Sequence, residues 1–185
     1  MYWKERLLEI AREVGAFQEG DFTFSSGKIS HYYFDGRKLT LHPEGLSLIA
    51  EWVFSLLTPL DVASVGGPTL GADATVGAVV LRSHQMQKPM IGFLVRPRAK
   101  RHGMKNIVEG ILPPNSRVAL FDDTITTGAS LFSAIKAVEE QGCEVVIILT
   151  LADWQKGGSA KLREEGYRFE TLFRLDEFHG ISIVE

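Results

Sequence analysis

A single cysteine stands in the 185 residues, so no intrachain disulfide is available, and Cys143, between a helical pattern and an apolar run, reads as a buried packing residue. No apolar run approaches the roughly 20 residues that a membrane-spanning helix needs. The opening MYWKERLLEI carries charges throughout and does not read as a secretory leader, so a cytoplasmic protein with no membrane partner is expected. Positive charge is not in excess: 20 Lys and Arg stand against 23 Asp and Glu, a formal net charge of −3. That gives no general support for a nucleic-acid partner. His42, His84 and His179 stand apart and fit no metal-ligand spacing, which leaves them surface or capping roles. Repeats, low-complexity tracts and interdomain linkers are missing too, and the length suits one domain.

What is present is an ordinary globular mix, 45% hydrophobic and 23% charged, arranged as an alternation. Trp3, Leu7, Ile10 and Val14 recur at helical spacing and predict a helix over 4–14, with Gly15 as its C-cap. Residues 22–34, aromatic and hydroxyl-rich around Gly27, predict a short hairpin. Pro43 opens a second helix to Leu57. Strands are then expected over 62–65, 90–95, 117–121, 144–151 and 167–173, with helices over 71–83, 129–141 and 159–165. Strand and helix alternating at this spacing argues for an α/β fold, a parallel sheet with helices on both faces. VVIILTL, apolar throughout, suits a strand buried on both sides. Residues 1 to about 60 form a small N-terminal cap in this reading, and about 61–175 the doubly wound core.

Ligands of open parallel sheets bind beyond the carboxyl ends of the strands, and four loops leave such ends here. The strand VALF runs into Asp122 and Asp123, then Thr124, Ile125, Thr126, Thr127, Gly128, Ala129 and Ser130 lead into a helix with Leu131, Ile135 and Val138 on one face. Backbone N–H groups of such a loop and its helix N-terminus favour an anion. The carboxylates accept hydrogen bonds from sugar hydroxyls or help to hold a divalent cation. No Gly-Lys-Ser/Thr ends the loop, so it is not a Walker loop. The segment Gly66-Gly67-Pro68-Thr69-Leu70-Gly71 allows close backbone approach to a ligand. VRPRAKRHGMKNIVEG gathers Arg96, Arg98, Lys100, Arg101, His102 and Lys105 in an otherwise acidic chain, with Gly103 and Gly110 as hinges. A long basic segment between core strands suits a lid over an anionic leaving group.

The acidic pair and its loop resemble the phosphoribosyl-pyrophosphate (PRPP) motif of type I phosphoribosyltransferases. The pattern Arg96-x-x-x-Lys100-x-His102-Gly103 is similar to the flexible loop of orotate phosphoribosyltransferases, and FTFSSGKISHYYFDGR to their substrate segment. The resemblance spans roughly residues 15–155. It implies transfer of the 5-phosphoribosyl group of PRPP to orotate, giving orotidine 5-monophosphate and pyrophosphate in pyrimidine biosynthesis, with Mg2+ carried by PRPP near Asp122 and Asp123. It implies that Asp122 to Ser130 hold the ribose phosphate and that Gly67 lies in a pyrophosphate loop. Arg96, Lys100 and His102 match lid groups that reach PRPP; Thr126, Tyr33, Phe34 and Lys28 match the surroundings of orotate. A homodimer is implied, the lid serving the neighbouring subunit.

Some positions depart from that pattern. Pro97 replaces a second lid lysine, Leu70 a lysine of the pyrophosphate loop, and Ser25 a lysine before Ser-Gly. In the fourth loop, Ala152-Asp153-Trp154-Gln155, Trp154 stands where the family usually has an arginine that pairs with the substrate. An indole makes no charge-assisted bond to a carboxylate but can stack on a pyrimidine. A phosphoribosyltransferase for another base and a non-catalytic PRPP-sensing regulator therefore remain as alternatives.

Overall fold

The computed structural model describes residues 2–23, 29–97, 107–177 and 179–184. Helix α1 (Tyr2–Glu13) forms where the periodicity predicts, burying Leu7, Ile10 and Ala11. Gly15 follows at φ +64°, a left-handed turn that glycine adopts without a Cβ penalty. The hairpin of β1 (Phe17–Thr23) and β2 (Ile29–Phe34) begins earlier than the composition suggests, because Phe17 pairs with Phe34. The Phe17 ring is buried and stacks on Tyr32 at 5.8 Å. A short helix α2 (Gly36–Thr40), absent from the sequence reading, is started by Asp35, whose side chain accepts the Arg37 N–H. Helix α3 spans Pro43–Leu57 as expected, with the His42 ring accepting the Gly45 N–H at 3.2 Å, a capping role.

Beyond residue 60 the alternation holds: β3 (Ser64–Pro68), α4 (Asp73–Gln85), β4 (Ile91–Val95), β5 (Val108–Gly110), β6 (Arg117–Ile125), α5 (Ala129–Glu139), β7 (Glu144–Asp153), α6 (Gly158–Glu164), β8 (Phe169–Asp176) and β9 (Gly180–Ile183). The sheet order is β5-β4-β3-β6-β7-β8-β9. The five inner strands are parallel, while β5 and β9 run antiparallel at the edges. These edge strands, three and four residues long, are too brief to show an alternation in sequence. Short edges also limit unwanted pairing with other chains.

Period-two geometry sends successive β6 residues to opposite faces. Ala119 and Phe121 join Leu7, Ile49, Val53 and Val79 on one side, and Val118 and Leu120 meet Leu131, Ile135 and Val138 of α5 on the other. Helices thus cover both faces. The buried residues of α1 and α3 are continuous with the cluster beneath the sheet. Cys143 is buried, as its setting predicts. No helix of the described residues is long and apolar enough to cross a membrane.

Candidate active site

Strand β6 does not stop at Phe121. Pairing with β7 continues through Asp122↔Thr150, Thr124↔Ala152 and Ile125↔Asp153, so both acids lie in the strand and the loop shrinks to Thr126–Gly128. The sequence reading ended the strand where hydrophobicity ended; the ladder of backbone hydrogen bonds carries it four residues further. Gly128, at φ +80°, turns the chain into α5 and provides no side-chain cap. The first N–H groups of α5 therefore face outward without an intrahelical partner, the setting that holds an anion. The Thr126 and Thr127 side chains flank them, exposed.

The loop is braced from behind by α6. The Gly158 N–H donates to the Thr126 carbonyl at 3.0 Å, and a Cβ on Gly158 would lie 2.5 Å from that oxygen. Gly158 is a site-supporting residue absent from the sequence reading; its signal, a Gly-Gly pair opening a short helix, is too common to single out.

Asp122 is 6% exposed. Its Oδ1 accepts the Asp123 N–H at 3.0 Å, and its Oδ2 accepts the Ser130 hydroxyl at 2.9 Å, linking strand end to helix start. Burial pushes the Asp122 carboxyl up to about 7, the neighbouring Asp123 charge pushes the same way, and the Ser130 bond opposes. Burial raises Asp123 as well, opposed chiefly by the positive charge of Arg37. The pair resists carrying two negative charges until a cation or hydroxyl donors arrive.

The glycines around this pair are required by space. A Cβ on Gly71 would lie 2.1 Å from Asp122 Oδ1, one on Gly67 1.9 Å from the Phe121 carbonyl oxygen, and one on Gly36 2.8 Å from the Asp123 Cβ. Gly66, Gly67 and Pro68 belong to β3 and not to a loop as the sequence reading had them, so Gly67 packs on the β6 backbone within the sheet. The loop proper starts at Thr69, whose hydroxyl donates to Asp73 Oδ2 at 2.8 Å and whose peptide to Leu70 is cis.

A cleft of about 300 Å³ opens beside the acids. Tyr33 and Phe34 of β2, Asp35 and Arg37 at the start of α2, Leu70 and Gly71 after β3, and Asp123 and Thr124 of β6 line it. Larger hollows, among them those between α5 and the β5 edge and between α3 and α4, include none of these residues. The Phe34 ring is committed to the interior, edge-on to Phe173 at 6.4 Å, whereas Tyr33 is half-buried and leans on Phe22 at 5.4 Å. Tyr33 is thus the aromatic with surface left to offer. Asp35 and Arg37 lie within the substrate-like segment, and the run Asp-Gly-Arg after the paired aromatics is the sequence signal for them.

Other candidates lie apart. Arg96 follows β4, its N–H donating to the Ile107 carbonyl and its Nη1 to Glu109 at 3.4 Å. Trp154 is half-buried against the core, its N–H donates to the Ile125 carbonyl, and it is not in the cleft lining. His31 lies on the exposed face of the hairpin, paired with Asp21 at 2.8 Å. Lys28, Lys100 and His102 fall outside the described residues.

Paired carboxylates at the carboxyl end of a central parallel strand, answered by an open helix N-terminus one loop away, define a sugar-phosphate site of the type I phosphoribosyltransferase class. The comparisons carry this further. The chain is 38% identical, over 174 residues covering 94% of it and 92% of the relative, to the orotate phosphoribosyltransferase of Aquifex aeolicus. The orotate phosphoribosyltransferase of Mycobacterium tuberculosis, solved with Fe(III) dicitrate, superposes with a TM-score of 0.82 at 35% identity, covering 96% of this chain and 99% of that one. The same enzyme solved with PRPP gives 0.75 at 32% identity, over 91% and 94%. The chain belongs to the orotate phosphoribosyltransferase family. No family model matches it.

Proposed function

We infer that the chain is an enzyme that transfers the 5-phosphoribosyl group of PRPP to orotate, releasing pyrophosphate and forming orotidine 5-monophosphate for pyrimidine biosynthesis. The observation that carries this is the pair of buried Asp122 and half-buried Asp123, joined through Ser130 to the open N-terminus of α5, in a chain aligned over 94% of its length with an orotate phosphoribosyltransferase.

The roles of the residues follow from their chemistry. Asp122 and Asp123 accept hydrogen bonds from the ribose hydroxyls, which relieves two carboxylates that burial disfavours. Backbone N–H groups from Thr127 to Ser130, with the Thr126 and Thr127 hydroxyls, hold the 5-phosphate, while the Ser130 hydroxyl stays on Asp122. Thr124, Ile125 and Ala129 frame that grip. Tyr33 flanks the base, with Thr126 and Lys28 on its polar edge. The reaction passes through an oxocarbenium-like state, so positioning and charge neutralisation are what the protein must provide. Arg96, Lys100 and His102 serve that end from the lid, and a homodimer places one subunit's lid over its partner's site. Residues 1 to about 60 act as the hood.

Among the described residues no group of three metal-ligating side chains occurs. A magnesium ion fits here only as Mg2+ usually binds substrate phosphates, through one or two carboxylates plus water and the substrate's own oxygens. The donor set suits that mode, since Asp122 and Asp123 are two adjacent carboxylates whose charged forms burial disfavours and a cation would favour. Held there by Asp122 and Asp123, such an ion would supply positive charge against the pyrophosphate.

The test is loss of orotate absorbance on mixing the protein with PRPP, magnesium and orotate. Magnesium-dependent loss with release of pyrophosphate is the expected result. Measured PRPP binding without orotate consumption would overturn the choice of base and point to another acceptor base or to a sensor.

A further inference from the structure

We propose that Arg37 is a pyrophosphate-binding residue, the guanidinium that receives the leaving group on the hood side of the cleft. The inference rests on the reading of the site as a PRPP site and goes beyond it in assigning a residue and a direction.

The first argument is charge. The cleft presents Asp35 and Asp123, with Asp122 directly behind, and among its described lining residues Arg37 is the cation. The loop after β3 offers no cation there: Leu70 is apolar and 68% exposed, Gly71 has no side chain, and the Thr69 hydroxyl is already spent on Asp73. A diphosphate entering a pocket walled by carboxylates needs a positive partner, because like charges at such range repel.

The second argument is orientation. Asp35 holds Arg37 by its backbone N–H (3.1 Å), its Nε (2.9 Å) and its Nη2 (3.3 Å). Nη1 has no hydrogen-bond partner among the described residues. The guanidinium is thus fixed in plane by a carboxylate that also starts α2, with donors left over, and a pre-set planar fork loses little freedom on taking a phosphate oxygen. Its field reaches Asp123, which it draws toward the charged state.

The third argument is the connectivity of the substrate. In PRPP the pyrophosphate is attached to C1, next to the carbon that bears the 2-hydroxyl. A ribose held by its 5-phosphate at α5 and its hydroxyls at Asp122 and Asp123 turns C1 away from the α5 loop. The pyrophosphate then projects along the walls formed by Gly71 and Arg37, which share the cleft with Asp123.

Calorimetric titration with magnesium pyrophosphate, and separately with ribose 5-phosphate, tests this on the wild type, Arg37→Ala and Arg37→Lys. Loss of a charge-assisted bond predicts a pyrophosphate Kd raised roughly ten- to a hundredfold in Arg37→Ala, with ribose 5-phosphate affinity within about twofold of wild type. The KM for PRPP should rise in step and the KM for orotate stay put. Arg37→Lys, which keeps the charge but not the fork that Asp35 holds, should recover part of the loss; a merely structural role would not discriminate between the two ligands in this way. An unchanged pyrophosphate Kd, an equal loss for both ligands, or a rise confined to the orotate KM would each overturn the assignment. A wild type that binds pyrophosphate but consumes no orotate would sink the activity reading alone, since the pyrophosphate titrations would still judge Arg37.

Discussion

Two acidic walls face each other across the cleft and behave in opposite ways. On the core wall, burial pushes Asp122 and Asp123 up, so the pair resists ionisation. On the hood wall, the hydrogen bond from Arg37 holds Asp35 below the usual carboxylate range, and it stays charged. The residue type is the same; the local donors and the depth differ. The core wall is therefore poised to be satisfied by a ligand, whereas the hood wall is already satisfied by its own arginine and spends that satisfaction on orienting it.

The comparison can be broken most severely at Gly71. Alanine there would put a carbon 2.1 Å from Asp122 Oδ1, so either loop or strand must move. Gly71→Ala should cost about 1–3 kcal/mol of stability, as overpacking does, and should lower PRPP affinity; denaturant melts and calorimetry read the two effects. Next in size, Asp123→Asn should weaken PRPP binding roughly tenfold or more by removing a charged acceptor, while unchanged affinity in a titration would remove Asp123 from the site.

The two walls should also respond to pH with opposite signs. A carboxyl whose folded value is raised binds more protons in the folded chain than in the unfolded one. Asp122 therefore contributes stability at low pH that is lost as pH rises from about 4 toward about 7. Asp122→Asn should remove that slope and make the ligand-free protein more stable than wild type at pH 8, by about 1–3 kcal/mol. Melting temperatures across pH check the sign. Asp35, held low, contributes stability that is present at neutral pH and lost as pH falls through its folded value. The smallest effect is expected from Asp35→Ala, which deletes the start of α2 at about 1 kcal/mol, and should flatten the acid side of the same melting profile.

Much of this was legible in sequence because the signals were local. The acids, the threonine loop and the helix behind them fall within one continuous stretch, and the helical spacing of Trp3 to Val14 and the run VVIILTL mark their elements directly. What escaped was set by partners distant in sequence. The end of β6 depends on its ladder to β7, β9 depends on β8, and α2 depends on a single capping contact. Gly66 to Pro68 look like a turn by composition and are held as strand by β4 and β6. Arg37 was passed over because nothing in a linear reading brings residue 37 beside residue 123.

The contact between Gly158 and the Thr126 carbonyl has a consequence in time. The phosphate loop is made from residues synthesised well before α6, yet the loop's back wall is α6. A nascent chain that ends before Gly158 carries the whole motif without its brace. The cradle is therefore completed only once α6 has been synthesised, and a growing chain gains its grip on phosphate only as that helix folds into place behind the loop.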